Sequence, residues 1–231
     1  MGFRRPRISL IVLSLLGLGG CAINASAFAQ DSSSSANSHA RAAQRRPAAI
    51  PSLDAGSVSA GAYRNPSFGF TCRVPEGWVL RTEEMNARGE EDASAQPAKD
   101  SGKIGRVLLS AFSRPPEARA EDVNGSILIA AESAVSYAGL KEPAQYFGPV
   151  TEVAKAQGFE IDGEPYGFVL GTKTLVRGDF EKNVGTRVMR QSTLVMLAHG
   201  YVVSLTFIGG TDDEVEELVQ GLSFGLVKPA R

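Results

Sequence analysis

The stretch "YRNPSFGFTCRVPEGWVL", Tyr63 to Leu80, decides the fold. Phe68, Phe70, Cys72 and Val74 alternate with Gly69, Thr71 and Arg73, which places four apolar side chains on one face of a strand. Pro75 and Gly77 end that strand, and Trp78, the only tryptophan of the chain, opens the next extended piece. A free cysteine among Phe, Phe and Val behaves as a small hydrophobe with an inert thiol. Cys72 therefore reads as core. The rival reading, a nucleophile, lacks a base nearby in sequence.

Working outward, "VLLSAF" (Val107–Phe112) and "SILIAAE" (Ser126–Glu132) are apolar without clean alternation, as strands covered on both faces are. "EPAQYFGPVTEVAKAQG" predicts a helix with Pro143 in its first turn and Gly158 as its C-cap; Pro149 predicts a kink or restart. Tyr146, Phe147, Val150, Val153 and Ala154 share its apolar face. "FVLGTKTLVRGDF", "TRVMRQSTLVML" and "GYVVSLTFIG" read as three long strands, the last two joined by a tight turn at His199-Gly200. "TDDEVEELVQGLSF" is a closing helix with Val215, Leu218, Val219 and Leu222 as its stripe. Between Thr82 and Lys103 the chain is polar, which predicts a long loop with a short helix near Glu83–Ala87. The order fits an α+β domain: one antiparallel sheet of five to seven strands with helices packed on its faces.

Ahead of this domain lies an export signal. "FRRPR" is a basic start and "ISLIVLSLL" a nine-residue apolar run, too short to span a bilayer. "LGGC" resembles a bacterial lipobox and makes Cys21 a candidate for lipidation, with residues 1–20 removed. "ASA" and "AFA" (Ala25–Ala29) suit ordinary signal peptidase, which would remove residues 1–29. Residues 21–62, rich in Ser, Ala and Pro, read as a disordered linker with an r.m.s. reach of roughly 35 Å. The globular domain then spans residues 63–227, and 228–231 form a tail. With Cys21 acylated or discarded, Cys72 is alone and no disulfide framework is available.

The 231-residue chain carries a net charge of −1, yet residues 1–61 hold six arginines against two aspartates, leaving −5 on residues 62–231. An acidic domain gains no counterion release on a polyphosphate, so nucleic acid is not an expected partner.

Four features invite chemistry. Asp212, Asp213, Glu214, Glu216 and Glu217 could collect a divalent cation. Against that, Thr211 and Glu214 form a capping box, and acids suit the first turn of a helix. His199, one of two histidines in the chain, is the only one in the domain and would have to serve a hydrolase built on Cys72 or a serine. Its place in a turn gives it a conformational reason instead. "RGD" (Arg177–Asp179) reads as a turn following a strand. The glycines show neither G-x-G-x-x-G nor P-loop spacing. No cofactor is implied.

"YRNPSFGFTCRVPEGW" resembles the opening of the PsbP-like superfamily, which takes in photosystem II PsbP, the Ran-binding Mog and DcrB-type bacterial envelope lipoproteins. The later order, through "GTKTLVRGDF", "GYVVSLTFIGG" and a last helix ending in "LSF", is similar too, over roughly residues 63–226. The resemblance implies a three-layer α/β/α sandwich that binds partners and has no catalytic site. Phe68, Phe70, Cys72, Pro75, Gly77 and Trp78 would be fold markers, and no functional residue carries over. The expected protein is an exported, non-catalytic binding or scaffold module, tethered as an envelope lipoprotein or soluble in the periplasm, that engages an envelope protein. A hydrolase and a divalent-cation binder are the alternatives.

Overall fold

A computed structural model describes residues 52–94, 105–115, 117–118 and 122–225. The export signal, Cys21 and the tail lie outside the described residues. In chain order the elements are β1 (Ser57–Ser59), β2 (Ala62–Asn65), β3 (Phe70–Arg73), β4 (Val79–Leu80), α1 (Thr82–Ser94), β5 (Arg106–Phe112) and β6 (Ser126–Ser133). Two 3-10 turns, Ala134–Ser136 and Pro143–Tyr146, lead to α2 (Phe147–Ala156). Then come β7 (Glu160–Leu170), β8 (Lys173–Val184), β9 (Arg187–Ala198), β10 (Tyr201–Gly209), α3 (Asp212–Gln220) and β11 (Leu222–Phe224).

The chain is α+β and its strand pairings are antiparallel, but two sheets replace the single one expected. Seven strands run β4-β5-β6-β10-β9-β8-β7, and four run β1-β2-β3-β11. The opening stretch explains the split. β11 pairs with β3, setting Leu222 opposite Cys72. Tyr63, Phe70 and Cys72 then turn their shared face onto the large sheet, where they join Leu109, Ile129, Leu205 and Phe207 in one core. Burial of that face drives sheet-on-sheet packing, which extension of the large sheet would forgo.

Alternation along the central strands sorts the layers. Leu194, Met196, Leu205 and Phe207 face the small sheet and α3. Val195 and Val202 face the other way, onto α2, and Leu128 and Ala130 meet Met85 of α1. One outer layer is thus mixed, sheet and helix together, which departs from a plain α/β/α stack.

Four local expectations are also corrected. The ordered domain starts before Tyr63: β1 and β2 form a hairpin through Ala60 and Gly61, both at positive φ, and Tyr63 Oη donates to Ala55 O at 2.9 Å. Residues 52–62 therefore belong to the domain. The segment after Thr82 is a 13-residue helix. Its surface sequence hides this because only Met85 is buried among its described side chains, while Arg81 and Arg88 bracket Glu84. Asn86 adds a sheet-like pair of bonds to Val107, its Nδ2 donating to the carbonyl at 2.9 Å and its Oδ1 accepting from the N–H at 3.0 Å. Third, "FVLGTKTLVRGDF" is no single strand, since the chain reverses at Gly171-Thr172 between β7 and β8. Phe68 stands outside β3, because Gly69 at φ 72 breaks the alternation, although its side chain still reaches the core.

Candidate functional site: the β7 edge and its surroundings

Among the described residues β7 is the outer strand of the large sheet and pairs only with β8. All eleven of its residues are exposed or half-buried, which is unusual for a strand of that length. Ile161, Tyr166 and Val169 are exposed large hydrophobics, Val169 at 68%. Pairing slips between Asp162 and Tyr166, where Gly163 takes φ 78 and Pro165 brings no N–H. Such a bulge ends one run of edge and starts another. The second run, Tyr166 to Leu170, pairs regularly with Lys173 to Arg177. The first run is acidic: β7 carries Glu160, Asp162 and Glu164 and no base. Asp162 lies 3.7 Å from Arg190, while Glu160 and Glu164 form no ion pair among the described residues.

The tripeptide Arg177–Asp179 is not in a turn. It lies within β8, where Arg177, 7% exposed, bonds Asp179 at 2.9 Å and Glu216 of α3 and stacks over Phe168. An arginine held this way offers nothing to an adhesion partner. Gly178 turns to the opposite face, beneath the ring of Phe147.

The residues singled out for chemistry are scattered. Cys72 is fully buried, its Sγ 3.7 Å from Arg73 O, and burial pushes its thiol up to about 12. His199 takes φ 53 in the two-residue turn between β9 and β10, with Gly200 at φ 82, the pair of positive values that a type I′ hairpin needs. Its ring packs toward Phe68, with centroids 6.3 Å apart, and makes no hydrogen bond among the described residues. Three of the five acids of α3 have side-chain partners. Glu214 N–H donates to Thr211 Oγ1 at 3.2 Å, and the Glu214 carboxylate accepts from Gly210 N–H at 2.6 Å. Asp212 meets Arg190 at 3.3 Å, and Glu216 meets Arg177. Among the described residues no group of three or more His, Cys, Asp or Glu is placed to hold a metal ion.

One cluster was not anticipated. Glu132 at the end of β6 is 4% exposed and has no cationic partner among the described residues. Tyr146 Oη donates to its Oε1 at 2.7 Å and Tyr137 Oη to its Oε2. The two rings meet edge to face with centroids 5.1 Å apart. Burial raises the Glu132 carboxyl above the usual range, against the lowering by the two hydroxyls. This arrangement fastens residues 134–146 over β6. A signal existed in sequence, an acid closing the apolar run "SILIAAE", but its partners lie five and fourteen residues on.

No family model matches the chain, and no curated protein matches it. Solved structures do. LpqN of Mycobacterium tuberculosis, described as involved in cell envelope biogenesis, is 16% identical over 68% of this chain and 83% of its own, with a TM-score of 0.34. Cyanobacterial PsbP of Synechocystis is 14% identical over 75% of this chain and 99% of its own, with a TM-score of 0.40. A Pseudomonas aeruginosa protein of unknown function is 14% identical over 53% and 78%, with a TM-score of 0.33.

Proposed function

We propose that this chain is an exported, non-catalytic binding module that takes up an extended segment of an envelope protein along β7. The carrying observation is the edge itself. An open strand supplies main-chain donors and acceptors to an added strand, and neighbouring side chains select its sequence. Exposed edges are ordinarily blunted with charge or covered, because an open one recruits strands. Here the Tyr166–Leu170 run is left apolar at Val169 and Tyr166 while the acids stand at the other end. The partner segment would set apolar or β-branched residues against Tyr166–Leu170 and basic residues near Glu160–Glu164.

The burial of Cys72 and the turn geometry of His199 support a structural role for both. The basic start, short apolar run and "LGGC" support export with a lipid on Cys21, and among the described residues no helix is long and apolar enough to cross a membrane. Cys21→Ala should move the domain from the membrane fraction to the soluble one. Cleavage at residue 28 or 30 in untreated cells would remove the tether from this account.

For the edge, Tyr166→Lys with Val169→Lys should abolish co-purification of any envelope protein that the unsubstituted chain retains after crosslinking in cells. Stability should change by less than about 0.5 kcal/mol, as for other exposed positions. Undiminished capture of the same partner would sink the reading.

A further inference from the structure

Away from β7, two turns and the first described residues enclose a cleft of about 180 Å³. One wall is aromatic. Phe68 comes from the turn between β2 and β3, and its ring stands edge to face with Tyr201 at 6.2 Å and tilted to His199 at 6.3 Å. The opposite wall is residues 52–54, with Ser67 beside them. Among the described residues, Asp54 is the only acid on the lining and no lysine or arginine lines the cleft.

The carboxylate of Asp54 is built in. Its Oδ1 accepts from Gly56 N–H at 2.9 Å and its Oδ2 from Ser67 Oγ at 3.0 Å. Its backbone carbonyl accepts from Asn65 Nδ2 at 2.9 Å, and Asn65 is fully buried. The bonds from Gly56 and Ser67 hold the carboxyl below its ordinary range, the Gly56 N–H contributing most. Each oxygen keeps a further lone pair, and no cation forms an ion pair with Asp54 among the described residues.

We propose that this cleft binds a protonated alkylamine, its ammonium on the Asp54 carboxylate and its stem along Phe68, His199 and Tyr201. Ring faces attract a cation and apolar walls take its methylenes, while a fixed carboxylate supplies the charge-assisted hydrogen bond. A carboxylate with no lysine or arginine beside it on the described lining disfavours anions, and one acid beside one histidine is too few ligands for calcium or magnesium. The volume limits the guest to a short stem, which a free amine or a lysine side chain of another protein both provide. The inference stands independently of the β7 edge.

The test titrates the isotope-labelled full chain with n-butylamine hydrochloride, Nα-acetyl-lysine amide, n-butanol and glucose, following backbone resonances of Ser67, Phe68, His199 and Tyr201. Saturable shifts with either amine, weakening with added salt, support the site. Shifts from acetyl-lysine amide alone identify a protein lysine as the source, and shifts from butylamine alone a small amine. Asp54→Asn should weaken amine binding by about tenfold or more, the loss expected for a charged hydrogen bond. Phe68→Leu, which keeps an apolar side chain, provides a second variant and should weaken it severalfold. Binding of butanol as tight as that of the amines, preference for glucose, equal amine affinity in both variants, or no saturable shift with either amine would overturn the proposal.

Discussion

Gly178→Val should lower stability by about 3 kcal/mol, near the upper end of what overpacking a core costs. A Cβ at this position would lie 2.4 Å from Phe147 Cε1 and 2.8 Å from Cδ1. Phe147 is 3% exposed within the core that joins α2 to β8, β9 and β10, so its ring has nowhere to retreat. Strand propensity favours valine over glycine, but that scale spans only about 1 kcal/mol. The clash wins. The residue must be glycine for space rather than for backbone conformation, since its φ is not positive. Denaturant unfolding measures the cost, and a double-mutant cycle assigns it. Phe147→Ala alone should cost about 3–5 kcal/mol, and in that background Gly178→Val should be close to neutral. A full cost that persists without the ring would contradict the packing.

Glu132→Ala should cost about 2–4 kcal/mol, because it leaves the buried Tyr146 hydroxyl and the half-buried Tyr137 hydroxyl without their acceptor and opens a void. Glu132→Gln separates shape from charge, since it keeps an acceptor and removes the titration. The sign follows from linkage. Burial raises the folded carboxyl above its ordinary value of 4.5, so the folded state holds that proton more tightly than the unfolded one. Its contribution to stability is complete below that value and declines as pH rises through the elevated folded value. Relative to Glu132→Gln, the wild type should therefore lose stability as pH increases from the ordinary glutamate range upward. A difference that stays constant from about pH 4 to 8 would show that Glu132 does not titrate anomalously.

Much of the fold was legible because its signals are local. The His199-Gly200 turn announces the β9–β10 hairpin, and the unalternating apolar runs at Val107 and Ser126 announce strands buried on both faces. What stayed hidden depends on distant partners. Nothing near Cys72 tells that Leu222 will pair with it and draw β3 into a second sheet. In α1, helix formation rests on an ion-pair ladder and on Asn86 bonding Val107, contacts without an apolar period. The β7 edge was half legible: Pro165 between Gly163 and Gly167 marks a strand that cannot be central, yet exposure on both faces removes the alternation that reveals strands. In the cleft, Asp54 and His199 lie 145 residues apart in the chain, and the turn at Phe68 brings them onto one lining.

The central claim is that β7 receives a partner strand. The most direct measurement places a photo-crosslinking amino acid at Val169 in cells and another at Val135, which is 78% exposed and lies in the turn beyond β6. The account predicts a discrete adduct with an envelope protein from position 169 and none from 135, lost when Tyr166 is also changed to lysine. Adducts from 135 alone, or no adduct from 169, would contradict it.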